Sequence, residues 1–175
     1  MTKLLLSLHV IAAIVAIGPV TVAASMFPPA VRRASAAPGD RDAWANVTVL
    51  HRICRAYAVA GVAVPVFGLA TAKNMGVLGD TWLIVSMALT LVAAVVLGAL
   101  VLPRQSALLE MATPAGSLAP AASGGSAPPA AGDENSIAVP KSATAQLAMF
   151  TGIFNLLWAV VTILMIIRPG STTGA

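Results

Sequence analysis

Residues 83–102, "LIVSMALTLVAAVVLGALVL", decide the fold. A barrel strand must alternate between a lipid-facing and a lumen-facing side. This run is apolar on every side, so only a helix can satisfy its own backbone inside hydrocarbon. About 20 apolar residues in helical form cross a core of about 30 Å. The run widens to residues 81–102, and stretches of comparable length lie at 3–26, 53–72 and 143–167. The reading is an all-α fold: a four-helix transmembrane bundle with a long flexible loop between helices three and four.

Composition points the same way. Of 175 residues, 58% are apolar and 9% charged, against roughly 25% charged in soluble domains. A cleaved signal peptide is the alternative for the first segment, since Lys3 gives it a basic start and "VAAS" loosely fits a cleavage site. Its apolar run exceeds the roughly 7 to 15 residues of a signal core, and Arg32 and Arg33 follow it, so retention is expected. Cys54 is the single cysteine, which excludes an internal disulfide. The net charge of +4 comes mostly from one loop and reads as orientation and attraction to anionic lipid, with no nucleic-acid partner.

The helices divide the chain into residues 1–111, holding three spans with short extensions, a linker at 112–142, the fourth span at 143–168 and a tail at 169–175. Helix one is expected to end at "MFPPAVRR", because Pro28 and Pro29 carry no amide hydrogen for the ladder. The stretch before span two already reads as helical: Asp40 or Asp42 can cap it, and Trp44, Val47, Leu50 and Cys54 recur at helical spacing. "KNMGVLGD" is a tight connection that makes spans two and three antiparallel neighbours, with Asp80 as N-cap. After Pro103, "RQSALLEMA" prolongs helix three into water by two turns. The following Ala, Pro, Gly and Ser residues offer nothing to bury and read as a flexible linker. Ser142 is the expected cap of helix four, and Arg168 and Pro169 end it.

Orientation follows from basic residues. The 1-2 and 3-4 loops hold Arg32, Arg33, Arg41, Arg52, Arg55, Arg104 and Lys141, and the opposite side holds Lys3, Lys73 and Arg168. This places both loops in the cytoplasm and both termini outside a plasma membrane.

His9 lies about 9 Å inside the outer boundary and His51 near the inner one, so roughly 20 Å separates them along the normal. They cannot be opposite axial ligands of one haem in one chain. His51 and Cys54 have i, i+3 spacing and could give two metal ligands, but a structural zinc site usually needs four and nothing nearby completes it. The six acidic residues all fall outside the spans, which removes a carboxylate proton relay. No catalytic constellation and no small-molecule substrate can be named. Ser86 and Thr162 come out near the depth of His9, which suggests a polar layer in which His9 hydrogen-bonds to one of them. Asn155, near the centre of helix four, should find a partner on another helix or chain. Pro19 and Pro65 leave the carbonyls of Val15 and Gly61 without helical donors. Ala12 with Ala16, and Ala94 with Gly98, have the small-xxx-small spacing that lets backbones approach.

"LLLSLHVIAAIVAIGPV", "LHRICRAYAVAGVAVPVFGLATA", "WLIVSMALTLVAAVVLGALVLPRQ" and "TGIFNLLWAVVTILMIIRP" together resemble a family of small, uncharacterised four-helix integral membrane proteins. That family is distantly similar to the membrane domain of the copper-resistance D proteins, in the Leu-His of helix one and the Leu-His-Arg leading helix two. The resemblance implies a ligand role for His9 and His51; the scattered methionines depart from it.

The expected function is non-catalytic: an accessory subunit in the lipid bilayer, packing against other integral membrane subunits of a larger assembly such as a respiratory complex, with no cofactor of its own. The alternative is a haem- or copper-binding membrane protein using His9 or His51. A small transporter would need a polar path, which four short helices without a buried charge do not supply.

Overall fold

The computed structural model describes residues 2–37, 40–112 and 139–170. Its elements are α1 (Thr2–Ala36), α2 (Arg41–Ala60), α3 (Ala63–Met75), α4 (Thr81–Val95), a π-helical segment (Val96–Val101), α5 (Leu102–Ala112) and α6 (Lys141–Ile167). No strand occurs among the described residues. Four helical stretches are long and apolar enough to cross a membrane: α1, α2 continued by α3, α4 continued through the π segment into α5, and α6. The chain is an all-α bundle of four such helices. The start of α1 and the end of α6 lie at one end of it, the terminus end; the end of α1, the starts of α2 and α6 and the end of α5 lie at the other, the loop end.

Helix one does not stop at its prolines. Pro19, Pro28 and Pro29 all lie inside α1, which runs to Ala36. An interior proline costs about 3 kcal/mol. What offsets it is packing: Phe27, Val31 and Ala34 are fully buried against a core that includes Val47, Leu50 and Cys54 of α2. The cap of α2 is Asp40, whose Oδ1 accepts from the amides of Asp42 and Ala43 at 3.0 Å each.

Pro65 shapes the second span. The Gly61 carbonyl, deprived of a donor at residue 65, accepts instead from Val64 N at 3.1 Å, tightening one turn and separating α2 from α3. Gly76 closes α3 in the left-handed conformation at φ 71°, and Val77 N returns to the Ala72 carbonyl at 3.2 Å.

The third span widens before Pro103. Its buried positions Ala93, Leu97, Val101 and Gln105 recur every four residues, which an α-helix of 3.6 residues per turn cannot keep on one face. The π segment at Val96–Val101 absorbs the drift. The third span does continue through α5 to Ala112, and α5 packs on α2, burying Gln105 and Leu108. Arg104 fastens it to α6, with its guanidinium 4.4 Å from the Phe150 ring centroid.

Helix α6 starts one residue before the expected cap, with Pro140 rather than Ser142 at the N-cap position. Arg168 ends it in a left-handed conformation at φ 45°. Of the linker expected at 112–142, residues 113–138 lie outside the described residues, as do 171–175 of the tail.

The helices close differently at the two ends. At the loop end α1 packs on α2, α2 on α5, α5 and the π segment on α6, and α6 on α1. At the terminus end α3 packs on α1 and α4 on α6. Spans two and three, expected as neighbours, meet through α2 on α5 and through Ala72 against Trp82 and Leu83, while α3 and α4 share no extensive interface. The larger core therefore fills the loop end, around Phe27, Val47, Val101, Leu147 and Phe154, while a minor cluster of Ala72, Trp82 and Leu83 occupies the terminus end.

Candidate functional site

A cavity of about 620 Å³ lies at the terminus end, open on the side of α1 and α6, where its lining residues Ile14, Gly18, Thr162 and Ile166 are exposed. Its walls come from α1 (from Leu6 to Gly18), α3 (Val64, Gly68, Thr71), α4 (Trp82, Leu83) and α6 (Trp158, Thr162, Met165). Along α1, Leu6 to Gly18 spans about 18 Å at 1.5 Å per residue. That is close to one leaflet of a core about 30 Å thick. Walls of this kind suit a lipid-soluble occupant, and the few polar groups among them set its orientation.

His9 is the polar residue of α1 in this wall. It is 9% exposed, and its Nδ1 lies 2.9 Å from the Val64 carbonyl of α3. A carbonyl only accepts, so Nδ1 carries the hydrogen, and in that tautomer Nε2 offers a lone pair. Gly68 makes this possible: a Cβ there would stand 3.0 Å from His9 Cε1 and 3.2 Å from Nδ1. Thr71 and Thr162 spend their hydroxyl hydrogens on their own helices, donating to the Phe67 and Trp158 carbonyls at 2.8 Å each. At the rim, the Arg168 guanidinium lies 5.5 Å from the Trp82 ring centroid, and Trp82 Nε1 donates to Asp80 Oδ2 at 2.9 Å. Asp80 thus precedes α4 as expected, but its carboxylate holds an indole rather than capping the backbone.

The expected polar layer is not assembled. His9 bonds neither Ser86 nor Thr162; Ser86 is buried and donates to the Trp82 carbonyl at 2.8 Å. Thr162 shares the cavity wall with His9. A side chain can meet a polar depth requirement with a backbone carbonyl, and no residue letter announces one. Asn155 Nδ2 donates to Ser25 Oγ of α1 at 3.2 Å. Its Oδ1 is enclosed without a partner, as are Thr151 Oγ1 and Trp158 Nε1.

A second polar group lies at the loop end and was half legible. His51 Nδ1 is 3.0 Å from Gln105 Oε1, Gln105 Nε2 donates to Cys54 Sγ at 3.7 Å, and Ser106 Oγ is 3.5 Å from His51 Nε2. The i, i+3 spacing does put His51 and Cys54 on one face, and what that face holds is Gln105, a buried residue the sequence reading placed in water. The four-residue spacing of Leu97, Val101 and Gln105 was the signal that could have found it. Among the described residues no three His, Cys, Asp or Glu side chains group as metal ligands.

In comparisons with protein-family models, with curated proteins and with solved structures, none matches this chain. They leave the resemblance to the copper-resistance D membrane domain without support from outside the sequence.

Proposed function

We propose that this chain is a non-catalytic accessory subunit of the plasma membrane, packing against other integral membrane subunits of a larger assembly, a respiratory complex being one such case. The observation that carries the reading is an outward small-residue groove. Ala94 and Gly98 are exposed one turn apart, and a Cβ at Gly98 would meet nothing within 4 Å. Leu91, 67% exposed, flanks them. In lipid, where apolar surface alone gives no drive to associate, such a groove is where another helix gains close packing. The excess of basic residues at the loop end supports cytoplasmic loops and outside termini.

Purification in mild detergent at endogenous levels tests this. Co-migration with a larger complex, lost in a Gly98→Leu variant, is the expected result; a monodisperse single chain would overturn it.

A haem or copper carrier is the second reading, and one observation favours it. Ligating imidazoles commonly donate their other N–H to a carbonyl, which is the arrangement of His9 with Val64. The room is lacking, because His9 is nearly enclosed and Gly68 stands against its ring. At His51 both nitrogens face protein partners. A visible spectrum after adding haemin, and copper analysis of the eluate, separate this reading from the first: a Soret band lost in His9→Ala would favour the carrier.

A further inference from the structure

We infer that the terminus-end cavity is a binding site for one membrane-soluble hydroxyl compound, with its apolar body between α1 and α6 and its O–H donating to His9 Nε2. The argument is an inventory of donors and acceptors. The hydrogens of His9 Nδ1, Thr71 and Thr162 are already given to backbone carbonyls. What these three side chains still offer an occupant is therefore lone pairs. Nε2 of His9 has no hydrogen-bond partner among the described residues, although the ring lines the cavity. An acceptor left unpaired in an apolar cavity costs free energy that a donor would recover. The indole N–H of Trp158, enclosed on the same wall and also without a partner, can be served by the oxygen of a hydroxyl. A ketone or an ether gives His9 nothing, and a hydroxyl serves either group.

Shape agrees with chemistry. The cavity runs about the depth of one leaflet, and its exposed side, between Ile14 and Gly18 of α1 and Thr162 and Ile166 of α6, lets a molecule enter sideways from lipid. The small exposed fraction of His9 admits a hydroxyl and refuses a porphyrin plane. The Arg168 guanidinium, at the rim, marks the headgroup end. Long-chain alcohols and alkyl hydroquinones share the required donor.

The test uses the full chain in lipid nanodiscs with Trp44 replaced by Phe, so that emission comes from Trp82 and Trp158, which both line the cavity. The probes are a terminally brominated dodecanol and its methyl ether, compared at equal mole fraction in the lipid. The expected result is saturable quenching, with the alcohol half-saturating at about tenfold lower mole fraction than the ether, the worth of one hydrogen bond. His9→Phe should bring the alcohol to the ether's value. Gly18→Phe, whose side chain enters space where a Cβ meets nothing within 4 Å, should abolish saturable quenching by both. Equal behaviour of alcohol and ether, a preference that survives His9→Phe, or quenching that rises without saturating would each overturn the assignment, as would a His9-dependent Soret band with haemin. If His9→Phe does not fold, the alcohol-to-ether ratio of the unsubstituted chain and Gly18→Phe decide. Displacement of the probe by an alkyl hydroquinone more strongly than by dodecanol identifies an aromatic diol, and the reverse order an aliphatic alcohol.

Discussion

The two ends of this bundle are built from similar residues and close in opposite ways. At the loop end a ring of helix contacts encloses Phe27, Val31, Val47, Val101 and Leu147, and the buried amide of Gln105 meets His51 and Cys54. At the terminus end the ring stays open between α1 and α6, and the polar residue in the cavity wall, His9, spends one nitrogen on a carbonyl and leaves the other unspent. The difference teaches where stability and where binding reside. Filled space holds the chain together at one end, although Thr151 Oγ1 and Asn155 Oδ1 go unpaired beside it, and unfilled space facing an unpaired Nε2 is room for something else at the other.

The sharpest way to break that contrast is to truncate an apolar side chain at each end. Phe27→Ala should cost about 3–5 kcal/mol, since its ring is fully buried in the larger core. Ile14→Ala, at an exposed position of the cavity wall, should cost under about 0.5 kcal/mol. Thermal unfolding in one detergent compares the two, and similar losses would erase the distinction. Next comes Gly68→Val, which forces the His9 ring from its seat and should cost about 1–3 kcal/mol; the same scan, with a His9→Ala background in which the penalty shrinks, checks the cause. Gln105→Leu strips His51 and Cys54 of their shared partner and should lower stability by about 1 kcal/mol. Its signature is a shift of the His51 ring resonances with those of His9 unmoved. Smallest is Asn155→Leu, which gives up the bond to Ser25 while relieving an enclosed, unpaired Oδ1, for a net effect within about 0.6 kcal/mol.

Much of the fold was legible because hydrocarbon imposes a simple demand. Runs that are apolar on every face had to be helices, and all four appear. The capped start of α2 and its buried face of Val47, Leu50 and Cys54 followed from a side-chain oxygen and a period. Where the reading failed, tertiary packing overruled a local rule. Pro28 and Pro29 forbid a helix by their missing amides, yet α1 continues because Phe27 and Val31 gain more from α2 than the ladder loses. The widening ahead of Pro103 turned Gln105 inward, and a strict 3.6-residue period does not anticipate an added residue in one turn. The short connection between α3 and α4 implied that spans two and three are neighbours, and they meet at both ends, through Ala72 against Trp82 and Leu83 and through α2 on α5. For the site, His9 was visible as an oddity in an apolar run. Its partner was not, because every residue carries the same carbonyl.

The arrangement of contacts also sets an order of assembly. Helix α1, made first, is the surface on which α2 and α3 settle, so the leading half of the chain finds its neighbours as soon as it is synthesised. Helix α4 has no such fortune: the helix it packs on is α6, which emerges only after the long connecting stretch has been translated. In the interval α4 lacks its main neighbour, and the stretch containing it, joined to α2 through α5, is the most apolar of the four. A ribosome paused inside that stretch would leave the nascent protein with its lateral opening at its widest.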